Sequence, residues 1–185
     1  MRIIAGKYKG TTLYAPPGKE TRPTADRARQ TLFDILLHAP WADRSFVEQA
    51  VILDAFAGTG AIGLEALSRG AQKAYFFEKN TKTLSFLEKN IQLCRANLNT
   101  ILYKDVLLPP LVHTPCNLAF FDPPYQQNLV PQAIKNLENK NWFSKETLIV
   151  TETAVNEALS LDSSFSLLDE RKVGAACLRF WKKTI

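Results

Sequence analysis

The sequence predicts an α/β protein built on a mostly parallel seven-stranded sheet whose last two strands fold back as a C-terminal antiparallel hairpin. Three observations predict it. From residue 50 onward, short apolar runs alternate with segments whose apolar residues recur at helical spacing, and strands alternating with helices build parallel sheets covered on both faces. The last two apolar runs, on either side of Gly174, have no helix between them, so they pair as a hairpin. Finally, 46% of the 185 residues are apolar, which suits one substantial core and one compact domain.

The elements follow in order. Residues 2–4 and 11–14, around Gly6 and Gly10, read as a β-hairpin ended by Pro16-Pro17-Gly18. Thr24 is placed to cap a helix with Ala28, Leu32, Phe33, Leu36 and Leu37 on one face, ending near Pro40. Residues 1–45 are thus an N-terminal hairpin and helix extension that depends on the main domain, 46–185. That domain opens with a strand at 51–54 and a helix at 61–69 closed by Gly70. A strand at 74–77 leads to Glu78, and a helix carrying Leu84, Leu87, Ile91 and Cys94 follows. Strands at 99–103 and 117–121 precede Asp105 and Asp122, then come a helix at 129–137, a strand at 147–150 and the hairpin at 165–168 and 176–181. Asp54, Glu78, Asp105 and Asp122 therefore sit at the C-terminal ends of four strands, the edge at which open α/β sheets bind ligands.

Composition narrows the class. No apolar run is long enough to span a membrane, and the first residues lack the apolar stretch of a signal peptide, so a soluble cytoplasmic protein is expected. Cys94, Cys116 and Cys177 lie far apart with no paired spacing, which argues for buried thiols and against a disulfide framework or a metal site. His38 and His113 are isolated and read as surface or helix-end residues. Charge is uneven: Arg2, Lys7, Lys9, Lys19, Arg22, Arg27 and Arg29 face only Glu20 and Asp26 in the first 31 residues, which accounts for the whole formal net charge of +5. Such a local excess suits a polyanion, because cations that meet phosphates release condensed counterions; a solvated surface face is the plainer reading.

Gly58-Thr59-Gly60-Ala61-Ile62-Gly63 matches the dinucleotide pattern GxGxxG between a strand and a helix. Asp54 turns the reading toward a methyl donor. A carboxylate four residues before the first glycine can engage the cationic amino group of S-adenosylmethionine but would repel a pyrophosphate. Phe56, Ala57, Gly58 and Gly60 then form the cofactor loop, and Glu78, followed by Lys79, accepts the ribose hydroxyls, a role a dinucleotide site would also want. Asp105 with Val106 fits the adenine end, although an Asp that merely caps a turn explains it equally well.

Asp122-Pro123-Pro124-Tyr125 is the most specific feature. Two prolines hold the backbone extended and remove two N–H donors, leaving acceptors and an aromatic face. An exocyclic amine on a nucleobase is a poor nucleophile whose N–H groups must be held by acceptors: Asp122 and the carbonyl of Pro123 serve, and Tyr125 stacks on the base. Asp122 also borders the cofactor.

These blocks, together with Arg2-Ile3-Ile4-Ala5-Gly6-Lys7-Tyr8-Lys9-Gly10, Arg22-Pro23-Thr24-Ala25-Asp26-Arg27 and Leu64-Glu65-Ala66-Leu67-Ser68-Arg69-Gly70-Ala71, resemble the RsmD-type 16S rRNA guanine-N2 methyltransferases over nearly the full chain. The resemblance implies a Rossmann-like S-adenosylmethionine-dependent methyltransferase sheet, an N-terminal hairpin that holds rRNA, and one guanine of a small-subunit assembly particle as substrate. It puts Arg22 and Thr24 near the methionine end of the cofactor or the target base. With the charge pattern it makes Arg2, Lys7, Lys9, Arg22, Thr24 and Arg27 the RNA-binding candidates of a monomer without metal. Val173-Gly174-Ala175 departs from the Tyr-Gly turn usual in that family. An adenine-N6 methyltransferase acting on DNA or RNA is the nearest rival, since the Asp-Pro-Pro-Tyr block does not choose the base; a dinucleotide-dependent oxidoreductase and a non-catalytic RNA-binding module are further alternatives.

Overall fold

Alternation along the strands decides which layer each side chain joins, because successive residues of a strand point to opposite faces. Ile52, Ala74, Phe76, Leu118, Phe120, Leu148, Val150 and Phe180 join one buried cluster; Leu53, Tyr75, Phe77, Ala119, Phe121, Ile149 and Trp181 join the other. The computed structural model describes residues 1–17, 23–42, 44–124 and 127–184, with the side chains of residues 23–25, 44 and 45 outside the description. Its strands are β1 (Val51–Asp54), β2 (Lys73–Phe77), β3 (Thr100–Tyr103), β4 (Cys116–Phe121), β5 (Phe143–Ala154), β6 (Phe165–Val173) and β7 (Ala176–Lys183). They form one sheet in the order β3-β2-β1-β4-β5-β7-β6. The first five are mutually parallel, and β7 runs antiparallel to both β5 and β6.

The helices are α1 (Pro23–His38), α2 (Arg44–Glu48), α3 (Ala61–Ser68), α4 (Thr81–Leu93) and α5 (Leu129–Glu138). Apolar residues of α1 to α4 pack on one face of the sheet, and Val130, Ala133, Ile134 and Leu137 of α5 pack on the other. Trp142 anchors that second layer: it is fully buried among Tyr75, Phe77 and Tyr103, with ring centroids 5.1 to 5.3 Å away. Its indole N–H donates to the carbonyl of Pro110 (2.7 Å), fixing the loop that follows β3.

Several expectations need adjusting. Thr24 does not cap α1 but lies inside it, since the helix already includes Pro23; proline's fixed φ and missing N–H suit the first turn. The N-terminal arm pairs through a single bridge, Arg2 to Thr12, backed by bonds from Ile3 N–H to Thr11 (3.0 Å) and from Leu13 N–H to Met1 (3.0 Å). β5 begins at Phe143, four residues before the apolar run, and β6 continues to Val173 through Asp169-Glu170-Arg171-Lys172. That charged stretch is strand because β6 is the outer strand of the sheet, paired only with β7, so its outward side chains stay in water. The short α2 is an element that the apolar pattern does not announce. All three cysteines are buried, and His38 and His113 are exposed. No helix among the described residues is long and apolar enough to cross a membrane.

Candidate active site

The sheet reverses its strand order between β1 and β4, and the chain leaves these two neighbours toward opposite faces, to α3 and α5. A crevice opens at such a switch point. The glycine loop lines it, held by the flanking strands: Ala55 N–H donates to Phe120 and Ala57 N–H to Phe77, each at 2.9 Å. The three glycines have separate reasons. Gly58 adopts φ +56° with open space where a Cβ would stand, so its backbone is presented to the crevice. Gly60, at φ +80°, opens α3, and a Cβ there would lie 2.4 Å from Leu87. At Gly63 a Cβ would lie 2.3 Å from the Phe76 ring, so this glycine lets α3 rest directly on β2.

Four acids stand along this edge in different states. Asp54 is almost fully buried, with Oδ2 accepting from Gly63 N–H at 3.0 Å. Burial raises its pKa to about 7; the Gly63 bond opposes the rise and the nearby Glu78 charge adds to it. Glu78 accepts from Gly58 N–H (2.9 Å) through one oxygen and from Asn80 N–H (2.6 Å) through the other, which ties the end of β2 to the glycine loop. Asp105 bonds Lys79 at 2.8 Å and accepts from Leu107 N–H at 2.9 Å. Partial burial pushes Asp105 up, but those two partners outweigh it and hold it below the usual carboxylate range. Asp105 therefore does cap a turn, and Lys79, largely exposed, lies over its carboxylate. Val106 beside it is buried.

Asp122 follows β4 directly and keeps an open side to solvent, whereas Pro123 is buried and Pro124 exposed. Surrounding protein and the charges of Glu152 and Asp54 raise Asp122 to about 8. Register accounts for Glu152: Phe121 of β4 pairs with Thr151 of β5, so the next residues along, Asp122 and Glu152, stand side by side. Phe56 packs edge-on against Phe121 with centroids 6.4 Å apart. Tyr125 lies outside the described residues, as do Lys19 and Arg22.

The Glu65 carboxylate, fully buried on α3, holds the N-terminal arm. It accepts from Ile4 N–H (2.7 Å), Ala5 N–H (3.0 Å) and Arg69 Nε (2.8 Å), with Arg29 Nε at 3.7 Å. Ser68 Oγ accepts from Tyr8 N–H (2.8 Å), and the Ser68 carbonyl accepts from Lys7 N–H (2.7 Å). At Gly6 a Cβ would fall 1.8 Å from that carbonyl. The sequence signal for Glu65 was available: one acid in an otherwise apolar helix run. Asn90, equally buried, stands in the mixed sequence of α4 beside Glu88, Lys89 and Gln92, so only its helical spacing from Leu87 marked it as lying on the apolar face.

Arg2, Lys7, Lys9 and Arg27 are exposed, whereas Arg29 is buried and paired with Asp26 (3.0 Å) as well as Glu65, so it adds nothing to the surface charge. Thr24 is in the first turn of α1. A hollow of about 330 Å³ bordered by Arg2, Ile4, Lys9, Asp26 and Gln30 lies on the arm, and one of about 450 Å³ lies beside α5 near Lys135 and Leu161; neither is lined by the four acids.

A strand order of this kind, with a glycine loop at the switch point and acids ending successive strands, defines a Rossmann-like methyltransferase. Residues 1–182 match the family described as Conserved hypothetical protein 95. Ribosomal RNA small subunit methyltransferase D of Haemophilus influenzae is 34% identical over 187 residues, covering 98% of this chain and 93% of that protein. Its namesake from Escherichia coli strain K12 is 35% identical over 185 residues, covering 99% and 90%. The solved Escherichia coli protein yhhF superposes with a TM-score of 0.84 at 34% identity, covering 100% of this chain and 98% of that one. The chain belongs to this family, and it is a methyltransferase.

Proposed function

We propose that this methyltransferase transfers the methyl group of S-adenosylmethionine to the exocyclic N2 of a guanine in 16S rRNA, in a small-subunit assembly particle in the cytoplasm. The observation that carries the reading is the convergence of the glycine loop, Asp54, Glu78, Asp105 and Asp122 on one switch-point edge. The residues suit the cofactor. A buried carboxylate raised to about 7 beside a second acid calls for a cationic partner, and the amino group of a methionine tail is one. Each Glu78 oxygen keeps a lone pair for a ribose hydroxyl beyond its backbone bond, and the open space over Gly58 admits a ligand close to the backbone.

The cofactor supplies an activated methyl group; the chain supplies position. Asp54 and Glu78 fix the two ends of the cofactor's sugar and amino acid, with Phe56, Ala57, Gly58 and Gly60 beneath. Asp105, Lys79 and Val106 border the adenine. Asp122 and the carbonyl of Pro123 hold the N–H groups of the target amine, Pro124 keeps the backbone extended, and Tyr125 stacks on the base. Arg2, Lys7, Lys9, Arg22, Thr24 and Arg27 contact the RNA from the extension formed by residues 1–45, and the domain of residues 46–185 carries the chemistry. The rRNA assignment is supported by the relatives named above and by the basic arm; guanine N2 rests on the resemblance of the sequence blocks to the RsmD-type enzymes. Tritium from labelled S-adenosylmethionine should enter unmethylated small-subunit particles, and digestion should return N2-methylguanine. Label in adenine or in DNA instead would reject the assignment.

A further inference from the structure

We propose that Asn90 is a positioning residue that joins the glycine loop and the N-terminal arm into one unit, so that cofactor and RNA each raise the affinity of the other; this rests on the reading above of which ligand each part holds. Asn90 sits on α4 and is fully buried. Its Oδ1 accepts from Tyr14 N–H at 2.7 Å. Its Nδ2 donates to the Tyr14 carbonyl at 3.0 Å and to the Thr59 carbonyl at 2.9 Å. Only this orientation of the amide gives two carbonyls a donor and one N–H an acceptor. The side chain thus serves Tyr14 as a neighbouring strand would, and spends its second N–H on the residue between Gly58 and Gly60. Met1 adds to the junction, its sulfur accepting from Thr59 Oγ1 at 3.4 Å.

Neither side of this junction moves alone. Withdrawing the Thr59 carbonyl would orphan a buried N–H, and lifting the arm would strip Asn90 of the two bonds that aim it at Thr59. The glycines on either side of Thr59 carry no side chains to anchor the loop and adopt positive φ, so the loop tip is restrained by the Asn90 bond at Thr59 together with the Glu78 bond at Gly58. A ligand that fixes one side lowers the ordering cost of the other, and such coupling is reciprocal.

The test is a titration of S-adenosylhomocysteine with and without saturating unmethylated small-subunit particles, whose 16S rRNA is the proposed substrate, on wild type, Asn90→Ala and Asn90→Asp. Aspartate keeps the shape and the acceptor for Tyr14 N–H while losing both donors. RNA should tighten S-adenosylhomocysteine at least about fivefold in wild type, and the ratio should fall to about one in each variant whose circular dichroism is native. A role confined to holding the arm in place would weaken both affinities and leave the ratio unchanged, which would overturn the proposal; so would a wild type that binds both ligands independently. A wild type that binds S-adenosylhomocysteine but no RNA would reject the substrate reading and the coupling with it. A measurement that needs no variant is hydrogen exchange: S-adenosylhomocysteine should slow exchange at the Tyr14 amide by a factor similar to that at the glycine-loop amides. Protection of the loop with none at Tyr14 would overturn the proposal.

Discussion

Asp54 and Asp122 meet the same problem from two sides of the switch point: each is an acid whose surroundings resist its charge. Loss of hydration is the first cause for both, nearly complete for Asp54 and only partial for Asp122, which keeps an open side to water, so Asp54 carries most of the effect on stability; each then feels another carboxylate, Glu78 beside Asp54 and Glu152 beside Asp122. Their folded pKa values, about 7 and about 8, lie above the unfolded carboxylate value of about 3.9. The folded state therefore binds these protons more tightly. The stabilisation they give is complete below the unfolded pKa and is lost as pH rises through 7 and then 8. Ligand-free protein should accordingly melt at progressively lower temperature from about pH 4 to about pH 8 and level off above that, and Asp54→Asn should flatten that slope. Saturating S-adenosylhomocysteine should flatten it too, because a cation beside Asp54 favours the ionised form; a slope unaffected by both changes would mean that Asp54 does not face the ligand. Asp122→Ala should cut turnover by about 100-fold or more while S-adenosylhomocysteine affinity changes little, as isothermal titration would measure. Retained turnover would remove Asp122 from the acceptor role.

At the scale of elements, α3 does two jobs with its two ends. Its first residues follow the glycine loop, and its last turn holds the arm through Glu65 and Ser68. Removing the Glu65 carboxylate would leave part-buried Arg69 without its acid, Arg29 with Asp26 alone, and two arm N–H groups without an acceptor. Glu65→Ala should therefore cost about 3–5 kcal/mol in urea denaturation, and mild trypsin should cut after Lys7 or Lys9 faster than in wild type. Gly6→Ala should act similarly, since φ there is +79° and the new methyl would overlap the Ser68 carbonyl; an unchanged melting temperature would mean that the arm is not held as described. The apolar cores of the strands were legible in the sequence because burial on both faces leaves a plain apolar run, as in residues 51–54 and 117–121. The extent of β6 was not, because pairing with β7 sets it while its side chains look like a loop. Likewise the acids at the strand ends were legible from position alone. The partners of Glu65 and Asn90 were not, since the arm residues they hold are some 60 and 76 positions away in the chain, and a polar residue on a buried face announces that it has a partner without naming it.

Across the whole molecule, the lysines at the turn of the arm, Lys7 and Lys9, are offset from the edge that carries the four acids. Met1 and Tyr14 meet Thr59 and Asn90 at the glycine-loop end of α3, whereas Lys7 lies against Ser68 at the other end. α3 has eight residues, so the turn of the arm stands about 12 Å from the loop along the helix axis. Cations at that distance can hold an RNA strand that continues past the target base, but they do not touch the reacting amine. Reversing Lys7 and Lys9 to glutamate should consequently raise the KM for RNA and leave kcat nearly unchanged. Each phosphate no longer neutralised should also lower the dependence of log K on log salt by about 0.7 for a single strand or about 0.9 for a duplex, so the double variant should lose about 1.4 to 1.8 from the slope. Lys145, exposed near the start of β5 and outside the arm, supplies the control: the same reversal there should leave the slope unchanged. If Lys145→Glu and the arm variants flattened it equally, the protein would be attracting RNA through net charge alone. If only the arm variants do so, the arm is a phosphate track leading to the crevice, and the charge confined to the first 31 residues marks where the RNA lies.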